Sequence, residues 1–249
     1  MHPATAQKCF VGIPRIRQLP GMANPATPHI LSGFEVRLMD FRKNALMMGS
    51  LTQRSIARAW KGVMERDEGA CNTVIADDEE IDVLEVQIDH DGIGLLLRYQ
   101  PVASDLRQVI ATMKFSANLE RISDHAVGIA RRARKLNLKP VVPEVTEVEV
   151  MFQHADAMVK DAIKAFADDD SELARSLKSR DRELDALNRE YADKLTELMQ
   201  KNPSQIEEYL ELIFVARFLE RIGDQATSIA EDTVFAVHAE DIRHLPRGS

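Results

Sequence analysis

A seven-residue stretch occurs twice in this chain. Asn118-Leu119-Glu120-Arg121-Ile122-Ser123-Asp124 returns one hundred positions later as Phe218-Leu219-Glu220-Arg221-Ile222-Gly223-Asp224. An internal repeat of this kind restricts the fold more than any single motif, because both copies must build the same unit. The match continues upstream, where Val74, Asp78, Ile81, Asp82 and Leu84 align with Leu177, Asp181, Leu184, Asp185 and Leu187 at an offset of 103. A small length difference between the second helices of the two halves, or in the loops after them, accounts for the change in offset.

The repeated unit is helical. Among 249 residues there are 11 Gly, nine Phe, three Tyr and one Trp, while Ala, Leu, Arg, Asp and Glu abound. Proline is excluded from helix interiors but accepted in a first turn, so Pro101, Pro140, Pro143 and Pro203 mark ends. The stretches between them predict helices over about 33–65, 69–99, 104–136, a fourth after the 140–143 segment to about 167, then 171–199 and 204–238. Ser104, and Ser204 with Glu207 three residues on, resemble N-caps. Helices of about 30 residues, roughly 45 Å long, suit bundles. The expected fold is all-α, with two tandem, pseudo-symmetric three-helix bundles made of six long antiparallel helices.

The domain reading follows: a flexible leader over 1–29, a first repeat over 30–138, a linker at 139–143, a second repeat over 144–240 and a tail over 241–249. The leader holds five of the ten prolines, and Met22 is an alternative start. The final Pro246-Arg247-Gly248-Ser249 carries no function in this reading. A net charge of -8 and a pI near 5.4 argue against nucleic acid as partner. Cys9 and Cys71 form no ligand or disulfide pattern and fit a reducing compartment. No run approaches the ~20 apolar residues of a membrane span, and the start lacks a signal-peptide pattern. The expectation is a soluble, cytoplasmic protein.

The chemistry lies in paired acids. Glu120 and Asp124, and Glu220 and Asp224, are four residues apart and share a helix face. On an ideal helix, Phe115, Leu119, Ile122, Ala126 and Ile129 fall roughly 180–260° from Glu120. Val215, Leu219, Ile222, Ala226 and Ile229 repeat that stripe around Glu220, so both acid pairs are placed on an outer face. Asp78 with Asp82, and Asp181 with Asp185, repeat the spacing, and Glu85 and Asn188 share those faces. If the second and third helices of each half are neighbours, their pairs converge into one patch per half.

Like charges at this spacing cost a lone helix about 0.2–0.5 kcal/mol. A single such pair is ordinarily a solvated face matched by neighbouring arginines, here Arg121 and Arg221. Four pairs at equivalent points of a repeat raise the alternative of a metal site. Carboxylates without sulfur or imidazole suit Mg²⁺, Mn²⁺, Ca²⁺ or ferric iron and match zinc or copper poorly. A metal-free adaptor docking a basic surface competes with this reading. So does a di-iron carboxylate oxidase, although none of the seven histidines follows a glutamate by three residues, and His125 points about 100° from Asp124. No nucleophile constellation or glycine-rich phosphate loop is present. Trp60, Met47, Met48 and Met64 read as core or helix-packing residues.

The doubled Leu-Glu-Arg-Ile-x-Asp, with Gln100-Pro101-Val102-Ala103-Ser104-Asp105-Leu106-Arg107 and the acid-rich helix before it, resembles the PhoU family of accessory regulators of phosphate-specific transport. The resemblance covers about 30–240. It implies two similar three-helix bundles, whose acidic motifs hold multinuclear metal clusters, iron above all. The ligands it implies are Asp78, Asp82, Glu120, Asp124, Asp181, Asp185, Glu220 and Asp224. It also implies a non-enzymatic negative regulator of the phosphate-starvation response, linking the ATPase subunit of the phosphate ABC transporter to a sensor histidine kinase. A homodimer that reaches the membrane only through its partners is implied as well. Ser123 stands where the family usually has glycine, and helix propensity predicts little effect from it.

Overall fold

The computed structural model describes the backbone of residues 28–243 and the side chains from residue 33 onward. Most of the expected leader, Met22, Cys9 and the last six residues lie outside the described residues. Six helices follow in order: α1 (Pro28–Met64), α2 (Glu68–Tyr99), α3 (Ala103–Leu136), α4 (Val148–Asp168), α5 (Ser171–Lys201) and α6 (Ile206–His238). Single 3-10 turns at Pro143–Glu147 and Pro203–Gln205 lead into α4 and α6. No strand occurs among the described residues. The all-α expectation holds, and the proline-derived ends fall close to those observed.

The helix starts carry the first correction. Ser104 and Ser204 cap nothing: the N-cap positions of α3 and α6 are Val102 and Gln205, without side-chain cap bonds. The Ser104 hydroxyl instead approaches Asp105, and Ser204 is taken up by the 3-10 turn. The capping is done by Asp67, which accepts from the Ala70 N–H at 2.9 Å, and by Asp170, which accepts from Glu172 and Leu173 at 3.1 and 3.0 Å. Each cap follows a residue in the left-handed region, Arg66 at φ 55° and Asp169 at φ 53°. These are equivalent positions, so both halves make the same turn into their second helix.

Helices α1, α2 and α3 pack together, as do α4, α5 and α6, and the halves meet chiefly along α3 and α6. Those two helices are antiparallel. Arg107 at the start of α3 donates to the Ala236 carbonyl near the end of α6, and Lys114 pairs with Asp232. Further along, Arg132 and Lys135 both reach Glu211, and Lys139 pairs with Glu207. A pseudo-twofold therefore passes near Ser123 and Gly223. It relates the Lys114–Asp232 pair to Phe214 and Arg132, whose guanidinium stacks 4.1 Å from the ring centroid. Close approach here requires glycine, since a Cβ on Gly128 would stand 2.6 Å from the Phe218 ring.

The same relation governs the first helices. Trp60 stacks on Phe152 at 4.2 Å, while the equivalent contact brings Ile163 against Gly49. An aromatic pair on one side is balanced by a branched chain on bare backbone on the other. The duplication also appears in charge: Arg58 on α1 pairs with Asp77 on α2 at 2.5 Å. In the second half, Asp161 on α4 pairs with Arg180 on α5 at 2.5 Å, with the signs exchanged.

The phased stripe forms the core, since Phe115, Leu119, Ile122, Ala126 and Ile129 and their counterparts Val215, Leu219, Ile222, Ala226 and Ile229 are all buried. Met48 is buried, Met64 and Trp60 are partly buried against the core, and Cys71 is a buried free thiol. Met47 departs from expectation at 50% exposure. It takes the solvent side of α1, where its neighbour Met48 already faces inward.

Candidate carboxylate patches

The eight singled-out acids form two groups, one on α2 and α3, the other on α5 and α6. In the first, Asp78 feels the charges of Asp82 and Asp124, and Glu120 those of Asp124, Asp82 and Glu85. In the second, Asp181 feels Asp224 and Asp185, and Glu220 feels Asp185 and Asp181. The acids of neighbouring helices thus converge, as the sequence pattern required.

Their setting is less open than helical phasing suggests. Asp82, Asp124 and Asp224 are exposed, but Asp78, Glu120, Asp181, Asp185 and Glu220 are half-buried. The reason is the number of neighbours. Helix α3 packs against α1, α2 and α6, and α6 against α3, α4 and α5, so the buried arc is wider than one stripe. It takes in Thr112, Ser116, Asn118 and Ser123 on α3 as well. The acids line the margin of this arc.

Burial dominates their protonation. It raises Asp78, Glu120 and Glu220 above the usual carboxylate range, and the neighbouring acids add to the effect. Asp181 and Asp224 are pushed up to about 6, first by burial and then by each other's group of acids. Nearby arginines offset this only in part. Arg121 and Arg221 act on Glu120 and Glu220 as distant charges, and the ion pairs among the described residues include none of the eight acids. Adjacent acids are treated differently: Asp77 and Asp161 each hold an arginine. The arginine-matched reading therefore does not describe these positions, although Asp82, Asp124 and Asp224 are solvated.

Two features were missed by the sequence reading. The buried Ser123 hydroxyl donates to Asp78 at 2.8 Å and lowers its pKa, so serine here does more than fit a helix. Asp89 extends the first patch, adding to burial in raising Glu85. Its i+4 spacing from Glu85 was the available signal, and its counterpart Ala192 ends the second patch sooner. Beside the second patch lies an open cavity of about 330 Å³, lined by Asp185, Asn188, Arg189, Ala192, Asp193 and Glu220.

The donor set is oxygen-rich, half-dehydrated and short of counter-charge, the chemistry that a hard cation satisfies. Among the described residues, however, no three His, Cys, Asp or Glu side chains are arranged to close on one ion. Binding would have to draw these side chains together by rotation about their χ angles. No helix among the described residues is long and apolar enough to cross a membrane.

This architecture, a tandem pair of pseudo-symmetric three-helix bundles bearing a carboxylate patch on each half, defines a class of duplicated helical proteins. The PhoU domain model matches residues 46–133 and 148–233, one copy in each half. The chain belongs to the PhoU family. It is 38% identical over 223 residues to a phosphate-specific transport system accessory protein PhoU homolog of Pseudomonas putida, covering 88% of this chain and 86% of that one. It is 37% identical over 223 residues to the Pseudomonas aeruginosa homolog, covering 88% and 91%. The crystal structure of PhoU from Pseudomonas aeruginosa superposes with a TM-score of 0.81 at 35% identity, over 83% of this chain and all of that one. A Streptococcus pneumoniae phosphate transport system regulatory protein PhoU shares the fold at a TM-score of 0.78 and 24% identity, over 85% of this chain and all of that one.

Proposed function

We propose that this chain is a non-enzymatic regulator of phosphate uptake and homeostasis. In this reading it acts in the cytoplasm, as a homodimer, and holds down the phosphate-starvation response. It does so by linking the ATPase subunit of the phosphate ABC transporter to a sensor histidine kinase. The observation that carries the proposal is the match of both halves to the PhoU domain. It is supported by relatives named as accessory proteins of phosphate-specific transport, at 37–38% identity over most of their length. The test is a phosphate-regulated reporter in a deletion strain, with co-purification of the transporter ATPase and the kinase. The expected result is a reporter that stays on in high phosphate and returns to control with the wild-type chain. Unchanged repression after deletion, in a strain without a second copy, sinks the proposal.

We propose further that the two patches bind a multinuclear metal cluster, with iron as the first candidate and manganese, magnesium or calcium as alternatives. The ligands are Asp78, Asp82, Glu120 and Asp124 in one patch and Asp181, Asp185, Glu220 and Asp224 in the other. Support comes from eight acids without ion-pair partners, five of them half-buried. A cation would supply the positive charge that relieves their repulsion, while the chain's own part is to hold the oxygens at the margin between helices. Metal content is measured on protein purified without chelator and on an Asp124→Ala/Asp224→Ala variant. Loss of metal from the variant is expected, and equal content in both sinks the cluster proposal. The lack of a preformed three-ligand arrangement among the described residues gives the metal-free adaptor reading its support.

A further inference from the structure

The two halves differ on the outward faces of α2 and α5. On α2, Val83, Val86, Ile93 and Leu97 are exposed at 63, 65, 51 and 76%. With His90 they are spaced three, four, three and four residues apart, the a/d seam of a coiled coil. The equivalent positions on α5 are Ala186, Arg189, Asp193, Thr196 and Gln200, all exposed and mostly polar. The fold therefore does not require apolar side chains there, because its other half manages without them. Helix α2 packs chiefly against α1 and α3, and the exposure of these side chains leaves the seam uncovered among the described residues. A contiguous apolar face on one copy of a repeat signals an interaction site.

Charge says what fits it. Helix α2 carries nine acids and one arginine, with no Lys or Arg from Glu68 to Leu97. Helix α5 carries seven of each sign. Glu80, Asp82, Gln87 and Asp89 occupy the flanking e and g positions beside the α2 seam, where coiled coils choose partners by charge. A second copy of α2 would set two strongly acidic helices face to face. Arg37, Lys43 and Arg98 gather at the far end of α2, around a groove of about 580 Å³ that Asp40 and Asp91 also line. The favourable partner thus places its cations opposite Glu80–Asp89.

We propose that the outward face of α2 docks a basic amphipathic helix of another protein, which seats its apolar stripe on Val83, Val86, Ile93 and Leu97 and its Lys and Arg against the flanking acids. The site shares Asp82 with the patch proposed to hold metal, but it does not rest on the phosphate role argued above, since peptide binding and reporter control can each fail while the other stands.

The test uses a fluorescent three-heptad peptide with leucine at a and d and lysine or arginine at e and g, titrated onto the full chain by anisotropy. Saturable binding is expected, weakening as salt rises. A Val86→Ser/Ile93→Ser/Leu97→Ser variant should bind about tenfold more weakly, equivalent to one interval of affinity on the usual scale. Its circular dichroism and thermal midpoint should be unchanged, because these side chains are exposed. A peptide of the same composition with the apolar spacing scrambled should lose a similar factor. Equal binding by the variant, or by the scrambled peptide, overturns the proposal. It is also overturned if the variant turns a dimer into a monomer in sedimentation, which makes a second copy the occupant. Much tighter peptide binding after deletion of residues 1–27 likewise overturns it, by making that segment the occupant.

Discussion

The two carboxylate patches share four equivalent acids but rest on different supports. In the first, Ser123 donates to Asp78 from the neighbouring helix. In the second, the equivalent residue is Gly223, and burial with the charges of Asp224 and Asp185 raises Asp181 to about 6 although the Thr227 hydroxyl lowers it. Serine in place of that glycine would force the buried Leu184 to move, because a Cβ there would lie 2.6 Å from Leu184 Cδ2. Tight packing beneath the second patch leaves no room for a hydroxyl at the position that steadies the first, and the Thr227 hydroxyl, one turn further along α6, lowers Asp181 instead. Duplication thus keeps four acids in each patch, while the layer below them diverges.

The largest test asks whether the halves are one cooperative body. Leu119 and Leu219 are fully buried at equivalent points of the central pair of helices. Leu119→Ala and Leu219→Ala should each cost about 2–5 kcal/mol. Because α3 and α6 pack on each other, either change should lower a single unfolding transition. Calorimetry showing two transitions, only one of them shifted, would make the bundles independent.

Exchanging the supports comes next. Gly223→Ser should destabilise by about 1–3 kcal/mol, the usual effect of overpacking a well-filled core, unless Leu184 finds another rotamer. Ser123→Ala should cost about 0.5–1.5 kcal/mol through the lost hydrogen bond. Urea unfolding of the two variants measures both. A larger loss from Ser123→Ala than from Gly223→Ser would reverse the account of which patch is sterically constrained.

Protonation should separate the patches without any change in fold. Asp181 and Asp224 are raised to about 6 from the ordinary 3.8, so between those values these two groups hold more protons in the native chain than in the unfolded one. Their contribution to the stability of the metal-free protein then falls as pH rises through that window. Carboxyl-carbon NMR titration should find Asp181 and Asp224 protonating near pH 6, with Asp78 lower. Ser123→Ala should move Asp78 upward, since the hydroxyl favours its charged form. An Asp78 that does not move would remove the hydroxyl from the argument.

Much of this was legible in the sequence, because its strongest signals were local. Proline cannot sit inside a helix, so Pro101, Pro140, Pro143 and Pro203 placed the helix ends closely. The 3.6-residue period placed Leu119, Ile122 and their counterparts inside. Phasing around one helix failed where several helices converge: it put Glu120 and Glu220 on an outer face, although three neighbours half-bury them. The true caps were visible as Asp67 and Asp170 at the repeat offset, but Ser104 and Ser204 matched the capping pattern by residue type alone. The Ser123–Asp78 bond was hidden for a different reason. It depends on the rotation of α3 against α2, which no spacing within a single helix reveals.

The smallest expected effect bears on the duplication itself. Arg58 and Asp77 in one half, and Asp161 and Arg180 in the other, occupy equivalent positions with opposite sign. If the fold asks only for an ion pair there, its direction is free. Arg58→Asp alone sets an acid against Asp77, and Asp77→Arg alone sets two arginines together, so each single change should destabilise. The double exchange reproduces the orientation of the second half and should recover most of the loss. Their side chains are about one-third exposed, so the coupling in a double-mutant cycle should be only about 0.2–1 kcal/mol. If the double exchange is as unstable as the single changes together, the two halves place these helices differently. The exchanged signs would then record divergence in packing, rather than one contact written in two directions.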